Sequence, residues 1–289
     1  MSSVQIVADD RAGHAESPLW SPAEGALYWV DTRPGIIYRL RVSDGKRDAW
    51  PTPSRLGAIG LRDGGLIVAT KEGVGFLDTA SGAFEYVVDP EANQPDSRIN
   101  DAKTDRAGRF WFGSMQDDGA TRTGRLYRFG PNRQLDAVDE GYTIPNGFAW
   151  SPDNRTMYVC DSRAGTIFRY DFDVEEGRAS NRRAFAQIGR AHGTPDGSTV
   201  DSRGYLWNAR FGGGTVARYS PDGALDRVVA LPTQGTTNVA FGGDDLRTLF
   251  ITTGARGLTP DELDAQPLAG AVLSLRIDVP GVAEPTFKG

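Results

Sequence analysis

In the stretch "IPNGFAWSPDNRTMYVCDSRAGTIFRYDF" (residues 144–172) an apolar run, "GFAW", leads into a turn, "SPDN", then a second run, "TMYVCD", and a third, "GTIFRY", opened by glycine. The runs are too short for helices and rich in β-branched and aromatic residues, so they read as strands. Pro152, Asp153 and Asn154 supply the turn, Pro by fixing φ and Asp and Asn by bonding their own backbone. The stretch is therefore an antiparallel meander.

The same grammar recurs along the chain. Central runs lie at "ALYWVD" (26–31), "GLIVAT" (65–70), "RFWFGS" (109–114), "TMYVCD" (156–161), "YLWNAR" (205–210) and "TLFITT" (248–253). Glycine-led runs follow each of them: "GIIYRL", "GVGFLD", "GRLYRF", "GTIFRY", "GTVARY" and "GAVLSL". Aligned on Leu27, Leu66, Phe110, Met157, Leu206 and Leu249, the unit repeats every 39 to 49 residues. Six strand-only units of this length predict an all-β fold, a six-bladed β-propeller of four-stranded antiparallel blades, spanning residues 1–289 as one domain. Closing the circle protects sheet edges, and "SVQIVAD" (3–9) is placed to join the last blade to the first. Gly-His and Trp-Asp signatures of WD40 repeats are absent, and the spacing is too irregular for an open β-solenoid. Asp105, Asp153 and Asp201, ahead of their central runs, read as turn formers.

Composition agrees. The 289 residues include 36 Gly and 17 Pro, which means many reversals, and 39% hydrophobic with 24% charged residues is an ordinary globular balance. A net charge of −6 without a Lys/Arg cluster argues against nucleic acid as a partner. The start "MSSVQIVADDRAG" has no basic segment before an apolar run, and no stretch of about 18 apolar residues occurs, so the expectation is a cytoplasmic protein with no membrane partner. The one cysteine, Cys160, lies in an apolar run and reads as a buried small hydrophobe.

In a propeller the first strand of each blade lines the central channel. Ten or eleven residues ahead of the aligned positions stand Glu16, Asn100, Asn146, Asp196 and Asn238, with Arg55 or Leu56 in the second unit. Five blades thus put an acid or an amide at one register, and oxygen donors of this kind suit a hard divalent cation such as Ca²⁺, Mg²⁺ or Mn²⁺, although other divalent metals take oxygen-rich sites too. His14 and His192 read as loop residues near the channel mouth. "DFDVEEG" (171–177) has Glu176 where a calcium loop needs Gly, and reads as a hairpin. No G-x-S-x-G, H-E-x-x-H or Walker motif occurs, and "GGG" (212–214) opens no helix.

Taken together, "AESPLW" around Glu16, "RINDAKTDRAGRFWFGSM" (98–115), "IPNGFAWSPD" (144–153), "TPDGSTVDSRGYLW" (194–207), "FGGDDLRTLFITT" (241–253) and "QPLAGAVLSL" (266–275) resemble the SMP-30/gluconolactonase/luciferin-regenerating family of six-bladed propellers. The resemblance implies one divalent metal, Ca²⁺ first with Mg²⁺, Mn²⁺, Zn²⁺ or Fe²⁺ as alternatives, held by Glu16, Asn146 and Asp196. It implies that Arg98 and Asn100 contact substrate oxygens and that Asp101 shapes the backbone turn. An acidic substrate contact after the "SM" dipeptide falls at Asp117 or Asp118 and is assigned to Asp118. The implied activity is hydrolysis of a sugar lactone to the aldonic acid, with Asp196 as general base. Lactone isomerisation, phosphotriester hydrolysis on the same metal platform, and a non-enzymatic scaffold with a structural metal are the alternatives. The tripeptide PDG occurs twice, and only the first copy carries this load: Asp222 in the second reads as an outer turn.

Overall fold

The protein is described by a computed structural model over residues 4–289. Six small antiparallel sheets form a ring, a six-bladed β-propeller. Blade 4 shows the unit: Pro145–Trp150, Thr156–Asp161, Thr166–Asp173 and Arg178–Gln187 pair in sequence order, innermost strand first. In blade 6 the strands Thr236–Gly242, Thr248–Thr253 and Val272–Arg276 take their fourth, outer strand from Gln5–Ala8 at the other end of the chain, Gln5 lying opposite Ser274. The closing strand is thus the one expected, although Ser3 of that stretch lies outside the described residues.

Burial explains why the ring forms. A blade is apolar on both faces, so each face has to be covered by a neighbour. Six apolar clusters do this, each drawing on two adjacent blades. The sixth joins Ala8 and Val272 to Leu27 and Trp29 of blade 1, so the closing strand also seals a core.

Two features depart from the sequence reading. Blade 2 gains a fifth strand, because Thr286–Phe287 pairs in parallel with Leu61 and Arg62 of its inner strand. Phe287 then stacks on Phe129 at 5.7 Å and plugs the seam between blades 2 and 3. The insertion before the last strand contains a short helix, Pro260–Ala265, with a capping box between Thr259 and Glu262. Six residues are too few to show helical periodicity, so the pattern of strand runs gave no sign of it. Among the described residues no helix is long and apolar enough to cross a membrane.

The turn aspartates do more than turn. The Asp201 carboxylate accepts from the backbone N–H of Arg203 and Tyr205, from Trp207 Nε1 at 3.0 Å and from Arg218 Nε and Nη2 at 2.9 and 2.6 Å. Asp105 repeats the arrangement with Arg109 Nε at 2.7 Å and Trp111 Nε1 at 2.8 Å. Each buried carboxylate ties its turn to a fully buried Trp six residues on. Asp222, by contrast, is exposed and accepts only locally, from Ser220 Oγ. Asp201→Ala leaves Trp207 Nε1 without its acceptor and Arg218 with Asp226 alone, and urea unfolding should register a loss of roughly 1–3 kcal/mol. Asp222→Ala should leave the midpoint at the parent value, and equal losses from the two would refute this distinction.

Candidate functional site

The six inner strands share an irregularity that the sequence does not display. Each slips its pairing register at the channel-facing position: between Glu16 and Leu19, Leu56 and Ala58, Ile99 and Asp101, Asn146 and Ala149, Pro195 and Ser198, and Thr236 and Asn238. A bulge bends the strand and re-aims the side chain beside it. Ser17, after Glu16, has φ +50°, and Gly147, after Asn146, has φ +65°. Gly147 is required for a second reason, since a Cβ there would lie 2.6 Å from the Asp196 carbonyl oxygen. Blade 4 and blade 5 therefore approach each other through this glycine, which brings Asn146 to Asp196.

The result is a cleft of 380 Å³ at one end of the channel, with Glu16, Asn100, Asn146 and Asp196 among its lining residues. Asn146 Nδ2 donates to Asp196 Oδ1 at 2.5 Å and to Ser162 Oγ at 3.3 Å. Glu16 Oε2 accepts from Asn238 Nδ2 at 2.9 Å and from the Ser17 N–H at 3.2 Å. Burial, with the Asp101 charge adding to it, pushes the Glu16 carboxyl up to about 8. Burial and then the Glu16 and Asp101 charges push Asp196 well above the carboxylate range. His14 Nε2 stands 3.7 Å from Glu16 Oε1, its ring edge-on to Phe211. Burial and then the surrounding arginines hold the imidazole down to about 3, so it is neutral and offers Glu16 no counter-charge.

A second layer surrounds this floor. Arg98 Nη1 donates to Asn100 Oδ1 at 2.7 Å, and Asn100 Nδ2 donates to the Pro145 carbonyl at 3.0 Å, so blade 3 is tied to the strand carrying Asn146. Asp101 lies within the strand Ser97–Thr104, in no turn, and accepts the Gly147 N–H at 2.8 Å. The expected turn-shaping role is replaced by a bond between blades, because the bulge at Asn100 points Asp101 across to blade 4.

Of the residues singled out from sequence, Glu16, Arg98, Asn100, Asn146 and Asp196 line one cleft. Asn238 does not line it: the amide stands behind Glu16 as its hydrogen-bond donor. Asp118 reaches the rim, but its carboxylate oxygens accept from Ala120 and Thr121 of its own loop. Asp117 is the acid that faces the arginines, with Oδ1 3.1 Å from both Arg98 Nε and Arg55 Nη1. His192 is exposed in the short turn Arg190–His192. The rim residues Arg55, Arg163 and Arg256 had no motif to announce them, although Arg55 stands where the other blades carry an acid or amide.

The raised carboxyls give a signed pH dependence. With no cation beside it, the folded protein holds a proton on Glu16 between about 4.5 and about 8 that the unfolded chain has released. Stability of the chelator-treated protein should therefore fall as pH rises through that window and level off above it. Thermal unfolding across pH checks this, with Glu16→Gln showing a smaller fall; a rise over the same window would contradict it.

Comparison with known proteins adds descent to this geometry. Residues 14–255 match the SMP-30/Gluconolactonase/LRE-like region. The chain is 38% identical to a 6-deoxy-6-sulfogluconolactonase of Pseudomonas putida over 95% of its own length and 94% of that protein's. It is 36% identical to an L-arabinolactonase of Azospirillum brasilense, covering 98% and 95% of the two. The crystal structure of regucalcin from Agrobacterium tumefaciens, described as a calcium-binding protein, superposes with a TM-score of 0.95 at 27% identity over 99% of this chain and 97% of that one. A match over most of the chain, together with relatives well above 30% identity, leaves one assignment: the chain belongs to the SMP-30/gluconolactonase/LRE-like family.

Proposed function

We infer that the protein is a hydrolase of sugar lactones, opening the ring ester to the aldonic acid with the help of one divalent cation. The observation that carries the reading is the pairing of two buried carboxylates, Glu16 and Asp196, in the floor of an open cleft with no cationic side chain bonded to either among the described residues. Supporting it, relatives over the full length are named as lactonases.

The donor set fits a cation. Burial raises the proton affinity of both Glu16 and Asp196, and the Glu16 charge raises that of Asp196 further, so a positive charge between them relieves both burial and repulsion. The Asn146 amide already touches Asp196, and turned over it presents its oxygen to the same place. Oxygen donors without Cys, and with His14 at 3.7 Å from Glu16, point to a hard ion, Ca²⁺ before Mg²⁺ or Mn²⁺. When bound, such an ion supplies fixed positive charge that polarises an ester carbonyl and stabilises the oxyanion formed from it. Asp196, ionised beside that charge, accepts the proton of the attacking water, and the water oxygen bonds to the carbonyl carbon. The ring C–O bond then breaks, and the leaving ring oxygen takes from Asp196 the proton that the water gave up. Arg98 and Asn100, locked to each other at 2.7 Å, offer N–H donors to the sugar hydroxyls. Their mutual bond fixes these donors before substrate arrives, which lowers the ordering cost of binding.

Asp196→Asn should lower kcat for an aldonolactone by about 10²–10⁴-fold with circular dichroism unchanged, and turnover near the parent level would remove Asp196 from the base role. Chelation should abolish acid release and added Ca²⁺, Mg²⁺ or Mn²⁺ should restore it. Because the carboxyls give up protons when a cation binds, calorimetry near neutral pH in buffers of different ionisation enthalpy should register proton release; binding without it would argue against Glu16 as a ligand.

A further inference from the structure

The cleft has two electrically different ends. At the floor are the buried acids. At the rim, Arg55, Arg98, Arg163 and Arg256 line the same cavity. Only one rim carboxylate answers them, since Asp118 is occupied by its own loop. That carboxylate, Asp117, is shared three ways: Arg55 Nη1 and Arg98 Nε at 3.1 Å and Lys71 Nζ at 2.8 Å. Sharing leaves donors unspent. The buried Nε of Arg55 has no hydrogen-bond partner. The exposed guanidinium groups of Arg163 and Arg256 have neither a hydrogen bond nor an ion pair among the described residues.

The cations also feel one another. Burial first, then Arg55, pulls Arg98 down to about 9, with Arg256 contributing in the same direction. Arg55 is lowered by burial and, among charges, by Arg256 and Arg33. Repulsion of this kind inside a cleft is a standing attraction for an anion. A neutral polyol needs no such charge, because one guanidinium and one amide already serve its hydroxyls. Planar five-donor groups instead match the spread oxygens of a sulfonate, phosphate or carboxylate. The floor acids do not cancel this charge, since a divalent ion takes up theirs.

We propose that the site is shaped for a sugar lactone bearing a second, oxyanionic group at the end away from its ester, held by Arg55 and Arg256 at the rim while the ester lies over Asp196. Arg98, between rim and floor, touches both ends of the substrate. The proposal rests on the lactonase reading for the ester but not for the anion.

The test compares metal-loaded protein on hexonolactones that differ only at C6, with hydroxyl, carboxylate, phosphate or sulfonate there. At least one anionic lactone should exceed the hydroxyl compound by about tenfold or more in kcat/KM, mainly through KM, and the anion preferred identifies the group recognised. Arg256→Gln, on an exposed loop and no threat to folding, should reduce that advantage by about tenfold, as should raised ionic strength. Calorimetric titration with the corresponding open-chain aldonates provides a readout without turnover: the C6-anionic acid should bind more tightly than the C6-hydroxyl acid, and Arg256→Gln should erase the difference. If no lactone is hydrolysed yet this binding difference holds, the lactonase reading fails and the anion site stands. If the hydroxyl lactone is hydrolysed as well as all three anionic ones, or Arg256→Gln leaves the preference intact, the proposal is overturned with the lactonase reading untouched.

Discussion

Every blade has two apolar faces and no helix to cover either, and this constraint governs the molecule. A flat stack of such sheets would always leave two faces in water. Only a ring covers all of them, and the chain completes it by laying Gln5–Ala8 against Val272–Arg276, two segments from opposite ends of the sequence. Once the ring is closed, the six inner strands have to converge on one axis. The site is a consequence of that convergence: Glu16 and Asp196 are 180 positions apart in sequence, yet the Glu16 charge raises the proton affinity of Asp196.

Convergence alone would not aim the side chains. In a regular strand alternate residues point to the two blade faces, and the acids would be driven into the apolar seams. The register slip present in all six inner strands re-aims the side chains beside it, and Glu16, Asn100, Asn146 and Asp196 enter the cleft in this way. The geometry is held by bonds that cross blade boundaries. Ser17 Oγ accepts the Ile59 N–H at 3.0 Å, and Asp101 accepts that of Gly147 at 2.8 Å. Outside the axis, Asp105 and Asp201 anchor turn to Trp within their own blades, so stability and site geometry rest on different aspartates.

The electrostatics follow the same division. The floor gathers carboxyl groups under desolvation, a costly place for negative charge in the protein alone and a favourable one around a cation. The rim concentrates positive charge around one shared carboxylate. With a cation held on the floor, a ligand that is electron-rich at both ends would meet matching potential along the length of the cleft.

The repeat spacing, the turn chemistry and the acids and amides at one register belong to the chain's local pattern, so the six-bladed fold, the closing strand and the residues Glu16, Asn146 and Asp196 were readable from sequence. So was the difference between the PDG at Asp196, on an inner strand, and the PDG at Asp222, on an outer turn. The roles of Asn238, Asp101, Asp117 and Asp118 were not, because a one-residue slip decides whether a side chain faces the axis, the next blade or its own loop, and no residue type marks that slip. The arginine rim was also hidden: Arg55, Arg163 and Arg256 come from three different blades with no shared motif, and only ring closure brings them to one cleft, where Arg55 and Arg256 lie close enough to repel.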